Sequence, residues 1–225
     1  MQKSKEEEEE GGELIRSSSD TVEIVKKRLK AGSKLNEPNK DSFTPLHRAV
    51  KLKCSIEVIN QLIFEGADPF SQSNKGDTVL HMMVETIDLE RVNHLISFCK
   101  AVLSFDRGLE WINVQNKKKE SALLVAAGRM PLEQGPGNEM YDNQKTWCRI
   151  MQALISRGAN PNLQDINGNT AMHIFALAKV PFSIIKQFIT TNPETDLTIK
   201  NNYGETAISI TSRNREQLEK LKGDD

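Results

Sequence analysis

Apolar residues recur along the chain in short stripes separated by polar clusters. The longer stripes are Ile56, Ile59, Leu62, Ile63; Val92, Leu95, Ile96; Ile150, Leu154, Ile155; and Ile184, Ile185, Phe188, Ile189. Spacings of three and four predict helices that bury one face. Each of these stripes follows a shorter apolar run that opens on a hydroxyl residue: Thr44-Pro45-Leu46-His47, Thr78-Val79-Leu80-His81, Ser121-Ala122-Leu123-Leu124, Thr170-Ala171-Met172-His173. A fifth such opening is Thr206-Ala207-Ile208-Ser209. A Thr or Ser there caps free N–H groups of a helix, and Pro45 suits a first helical position. Gly66 and Gly158 follow the last apolar residue of a stripe, where a left-handed residue ends a helix. Turn clusters such as Asn74-Lys75-Gly76-Asp77, Asn167-Gly168-Asn169 and Asn202-Tyr203-Gly204-Glu205 interrupt the pattern.

The hydroxyl-led runs are spaced by 34, 43, 49 and 36 residues. A second pattern recurs out of phase with them, as Gly66-Ala67-Asp68-Pro69 and Gly158-Ala159-Asn160-Pro161-Asn162, with a worn copy at Gly32-Ser33-Lys34-Leu35-Asn36. A period near 33 residues with Thr-Pro-Leu-His and Gly-Ala-Asp motifs resembles the ankyrin-repeat family. The resemblance implies an all-α ankyrin-repeat solenoid of stacked helix-turn-helix units with projecting β-hairpin fingers. It implies an acidic tail over 1–12 and a single domain over 13–225, with units at 13–38 (a worn cap), 39–72, 73–114, 115–163, 164–199 and 200–225 (a terminal cap). The first cap is expected to hold a short helix at Glu13–Arg16 and a second at Val22–Leu29, and the last to end in a polar helix, Arg213–Lys222. Two spacings exceed the period, placing insertions within 98–110 and 129–145; the second contains Pro131, Gly135, Pro136 and Gly137 and reads as a loop.

Hydrophobic residues make up 37% and aromatics 5% of the chain, which is lean for one central core and suits a stack of small ones. Lys plus Arg is 30 and Asp plus Glu 31, a net charge of −1, so the basic excess of a nucleic-acid binder is missing. No apolar run approaches a membrane span, and the start, with Glu6–Glu10, lacks the apolar stretch of a signal peptide. Cys54, Cys99 and Cys148 are far apart and form no metal or redox pair, which favours a reducing compartment and a role as apolar fillers.

His47, His81 and His173 share one position in three units, so they cannot converge on a metal. The resemblance implies that they tie neighbouring units together through backbone. His94 lies on a second helix. No phosphate-binding loop or Cys/His nucleophile pair is present, so no catalytic residue, cofactor or metal is expected. Trp111 and Trp147 read either as core or as interface anchors, and Met130, Leu132, Met140 and Tyr141 in the long loop read either as spacer or as partner contacts.

The family resemblance implies a protein-binding groove made by finger tips and the exposed ends of first helices. By position, the contact residues are Lys40, Asp41 and Phe43; Lys75 and Asp77; Lys117, Lys118 and Glu120; Ile166, Asn167 and Asn169; Tyr203 and Glu205 in the fingers. On the first helices they are Lys51, Leu52, Glu85, Arg129 and Leu177. The basic triplet Lys117-Lys118-Lys119 reads as a solvated tip or a contact for an acidic partner. The partner class is another protein, with neither nucleic acid nor membrane, for a chain monomeric by itself and cytoplasmic. Short divergent ankyrin chains resemble bacterial or viral effectors, which act in the host cytosol or nucleus. An inhibitor of a Rel-like transcription factor and a regulatory domain of an enzyme are the alternatives.

Overall fold

The computed structural model describes residues 14–86, 88–102, 110–129 and 139–213. The chain divides into two compact units, Met1–Val114 and Gln115–Asp225. The first contains α1 (Val22–Lys30), α2 (Pro45–Lys51), α3 (Ile56–Phe64), α4 (Val79–Val84) and α5 (Leu89–Val102). The second contains α6 (Ala122–Gly128), α7 (Glu139–Ile155), α8 (Ala171–Leu177) and α9 (Phe182–Thr191), followed by a helical stretch over 207–213.

Short first helices and longer second helices stack within each unit. In the first unit α2 packs on α3 and on its successor α4, α4 packs on α5, and the second helices α1, α3 and α5 stack in turn. In the second unit α6 packs on α7 and α8. The predicted stripes face inward: Val58, Ile59, Leu62 and Ile63 of α3 and Val92, Leu95 and Ile96 of α5 are buried. Burying each such side chain contributes about 2 kcal/mol. An aromatic chain binds the second unit, with Trp147 edge-on to Phe175 at 5.4 Å and Phe175 edge-on to Phe188 at 5.1 Å.

Both tryptophans belong to cores. Trp111 is buried and its indole N–H donates to the Pro69 carbonyl at 2.8 Å; that of Trp147 donates to the Ala126 carbonyl. A buried indole needs such a partner for its one polar group. Cys54 is buried and Cys148 half-buried, and burial pushes both thiols up, away from the reactive thiolate.

Three expectations change. The N-terminal helix predicted at Glu13–Arg16 does not form at residues 14–16, although Leu14 and Ile15 are buried. The Asp20 carboxylate accepts the N–H groups of Arg16 (2.7 Å) and Ser17 (3.1 Å), closing a turn instead. Side chains satisfy the backbone there too, Arg28 donating to the Leu14 carbonyl and Arg48 to that of Ile15. The loop predicted over 129–145 is helical from Glu139, because no Pro or Gly follows Gly137 before Gly158. The insertion placed within 98–110 begins inside α5, which runs to Val102, and that expectation stands as it was. The fingers do not form strands: among the described residues the only bridge is the antiparallel pair Lys200 and Thr206. The tail 1–12, Met130 and Leu132, the side chains of Cys99, Met140 and Tyr141, and most of the helix predicted at Arg213–Lys222 lie outside the described residues.

Candidate protein-binding surface

Five finger turns share one construction. They run Asn39–Phe43, Ser73–Asp77, Asn116–Glu120, Asp165–Asn169 and Asn201–Glu205. In each, the first N–H donates to the fifth carbonyl at 2.9–3.0 Å, and the fourth N–H donates back to the first carbonyl at 2.8–3.0 Å. The first side chain also holds the turn from within. Asn39 Oδ1, Ser73 Oγ, Asn116 Oδ1, Asp165 Oδ1 and Asn201 Oδ1 each accept the N–H groups of the third and fifth residues. Short side chains that carry an oxygen close to their own backbone do this readily.

A histidine clamp fixes three of the turns to the helices that follow them. Thr44, Thr78 and Thr170 begin α2, α4 and α8, and their backbone N–H groups donate to Nδ1 of His47, His81 and His173 at 3.2–3.3 Å. Nδ1 therefore accepts, which puts the ring proton on Nε2. From there His47 donates to the Asp77 carbonyl at 3.1 Å, thirty residues on, and His173 to the Glu205 carbonyl at 3.0 Å. One side chain thus caps its own helix and holds the next finger. Burial keeps the His47 ring below the usual histidine range, so it stays neutral.

Neighbouring fingers are laddered within each unit. In the first, Asn74 N–H donates to the Asp41 carbonyl, its side-chain amide donates to the Lys40 carbonyl, and Ser42 Oγ donates to Asn74 Oδ1. In the second, Ile166 N–H donates to the Lys118 carbonyl at 2.8 Å and Asn202 N–H to that of Asn167 at 2.9 Å, while the Asn202 amide donates to the Ile166 carbonyl. Backbone groups are consumed inward, which leaves the tip side chains for solvent or a partner.

The predicted contact residues separate accordingly. Lys40, Asp41, Lys51, Lys75, Glu85, Lys117, Lys118, Arg129 and Asn167 are exposed. So are Ile166 (57%), Leu177 (49%) and Tyr203 (77%). Phe43 and Leu52 are half-buried, Phe43 stacking on His47 at 5.8 Å beneath the Lys51 ammonium at 4.7 Å. Asp77, Glu120 and Glu205 are half-buried; Glu120 accepts from the Asn116 amide, and Glu205 pairs with Arg213. Asn169 is a correction: it is buried, with its Oδ1 accepting the Asn201 amide at 3.1 Å, so it joins two fingers and faces no partner. Sequence reasoning missed Phe64, Phe182 and Ile208, which are exposed at 75%, 74% and 57%. Phe64 and Phe182 sit within apolar stripes whose inward face carries enough bulk without them.

Among the described residues no group of His, Cys, Asp and Glu can hold a metal ion, and no helix is long and apolar enough to cross a membrane.

Comparison with known proteins agrees. Residues 41–74 match the ankyrin repeat family. An ankyrin repeat protein of Acanthamoeba polyphaga mimivirus is 28% identical over 63% of this chain and 24% of its own length. Rabankyrin-5 of Homo sapiens is 25% identical over 78% of this chain, and the B-cell lymphoma 3 protein homolog of Mus musculus is 23% identical over 80%. The matches span only 14% and 42% of those two proteins. Residues 41–74 are thus an ankyrin repeat, and the helix pairs stacked at this period with three Thr–His clamps make the rest of the described chain similar to ankyrin-repeat proteins.

Proposed function

We propose that the chain is a non-catalytic protein-binding module that holds its partner on the finger tips and the exposed ends of the first helices, within each unit. The observation that carries this is the ladder of fingers: their backbone is locked by the His clamps and inter-finger bonds, while Lys40, Asp41, Lys75, Lys117, Lys118, Ile166, Asn167 and Tyr203 point outward. A pre-ordered surface loses little entropy on binding, which favours affinity. The fingers serve as the projecting hairpins of the family. Likeness to a viral ankyrin protein supports an effector that meets host proteins in the cytosol or nucleus, as a monomer.

Affinity capture followed by identification of bound proteins tests this. The expected result is a protein bound by wild type and lost by Ile166→Glu/Tyr203→Glu or by Lys40→Glu/Lys75→Glu, with both variants folded by circular dichroism. Equal capture by all three chains contradicts the finger surface.

A further inference from the structure

The fourth residue of every finger is left-handed: Ser42 (φ 58°), Gly76 (80°), Lys119 (57°), Gly168 (76°) and Gly204 (74°). Glycine adopts this conformation freely, and an L side chain is strained there. Ser42 gains something in return, its hydroxyl donating to Asn74 at 2.7 Å. Lys119 is exposed and its ammonium makes no hydrogen bond or ion pair among the described residues. Lys53 (φ 56°) and Lys179 (φ 54°) adopt the same conformation just after first helices, and what sets Lys119 apart is its place at a finger tip beside two further exposed lysines.

Its surroundings say what that charge would meet. Lys117 and Lys118 are exposed on the same turn. The carboxylates of the three fingers are turned to internal work: Glu120 accepts from Asn116, Asp165 from the N–H groups of Asn167 and Asn169, and Glu205 from Arg213. Glu120 keeps its charge but is half-buried and turned to Asn116, so the exposed charges of the tip are three ammonium groups. The ladder then places Ile166 against the Lys118 carbonyl and Asn202 against Ile166, with Tyr203 next, so two exposed apolar side chains succeed the basic tip along one edge.

Resting on the reading of the fingers as a protein-binding surface, we propose that the second unit binds an acidic peptide segment bearing two apolar residues. Its carboxylates meet Lys117, Lys118 and Lys119, and its apolar side chains cover Ile166 and Tyr203. A nucleic acid fits less well: the patch is one finger wide, and the edge beyond it is apolar rather than basic.

The test pans a random twelve-residue displayed peptide library on the whole chain and measures the enriched peptides by fluorescence anisotropy. Net-negative peptides with two aliphatic or aromatic residues are expected, binding more weakly as salt rises. Lys119→Gly is the telling variant, because it relieves strain and removes charge together. It should raise the urea midpoint while weakening peptide binding about two- to fivefold, the range of an exposed ion pair. Ile166→Ser/Tyr203→Ser should abolish measurable binding, and Lys27→Gln/Lys186→Gln, exposed on α1 and α9 away from the fingers, should leave it unchanged; Lys40→Gln/Lys75→Gln reads whether the first unit's fingers hold the peptide instead. Neutral or basic peptides, binding indifferent to Lys119→Gly, or tighter binding of a duplex DNA oligonucleotide would overturn the proposal. Peptides lost only with Lys40→Gln/Lys75→Gln would overturn it while leaving protein binding by the fingers standing. Failure to enrich any peptide would count against both.

Discussion

Replacing His47 with alanine tests the clamp at the point where one side chain serves two repeats. The imidazole is fully buried, stacks on Phe43, and bonds the Thr44 N–H at 3.3 Å, the Thr44 hydroxyl at 2.9 Å and the Asp77 carbonyl at 3.1 Å. Losing the bond to Asp77 removes about 1 kcal/mol, and the buried Thr44 N–H left without its acceptor costs about 1–3 kcal/mol more. The emptied ring volume adds about 1 kcal/mol. The expected loss is about 3–5 kcal/mol, read from urea unfolding followed by far-UV circular dichroism. His94→Ala is the control; that ring is exposed and, among the described residues, bonded to Asn60 at 2.9 Å, so its loss stays within about 1 kcal/mol. Thr44→Ala combined with His47→Ala should cost less than the sum, because the two side chains form one box. A His47→Ala chain within about 1 kcal/mol of wild type, or no worse than His94→Ala, would refute the clamp.

Acid should weaken the first unit in two stages. Burial holds His47 below its ordinary value of 6.5, so the unfolded chain binds more protons between that value and the lowered one. The contribution is complete above about pH 6.5 and drains as pH falls, and His47→Ala should flatten that window in a pH series of urea midpoints. For Asp20, burial pushes the carboxyl up, yet the Arg28 side chain and the N–H groups of Arg16 and Ser17 outweigh it and hold it below 3.8. Its contribution is therefore present above that value and lost only in stronger acid, a stage that Asp20→Asn should remove. Gly168→Ala should cost about 3 kcal/mol in the same unfolding assay, since its added carbon would lie 2.7 Å from the Asn202 nitrogen and 3.0 Å from the Asn201 Cα at φ +76°. Gly204→Ala, at φ +74° with nothing within 4 Å, should cost about 1 kcal/mol; equal losses would show that fingers do not pack closely.

Helix existence was legible because the signals are local. Thr44, Thr78 and Thr170 with their histidines mark first helices, and the three-and-four spacing of Ile56 to Ile63 marks a second. The ends were less legible where tertiary contacts decide them. Leu14 and Ile15 look like a helical pair, but Asp20 takes the N–H groups that a helix would need, and Arg28 and Arg48 take the carbonyls. The composition of 129–145 suggested a loop, whereas only residues up to Gly137 carry the helix breakers. In the candidate surface, tip positions such as Lys117, Ile166 and Tyr203 could be assigned by their place in the period. Asn169 could not, because its role as a bond between fingers depends on where Asn201 lies. A signal was nonetheless available: each finger opens on Asn, Ser or Asp four residues before its last, which only superposing all five turns reveals. The same superposition exposes Lys119 in a place that three other fingers give to glycine.

The most direct test of the finger surface is amide hydrogen exchange of the whole chain, alone and with the protein recovered by capture. Slowed exchange is predicted at the finger tips, around Lys40 to Ser42 and Asn74 to Lys75 in the first unit or Lys117 to Lys119, Asn167 and Asn202 to Tyr203 in the second, with α3 and α9 unchanged. Protection confined to α3, α5 and α9, with the tips exchanging as in the free chain, would contradict it.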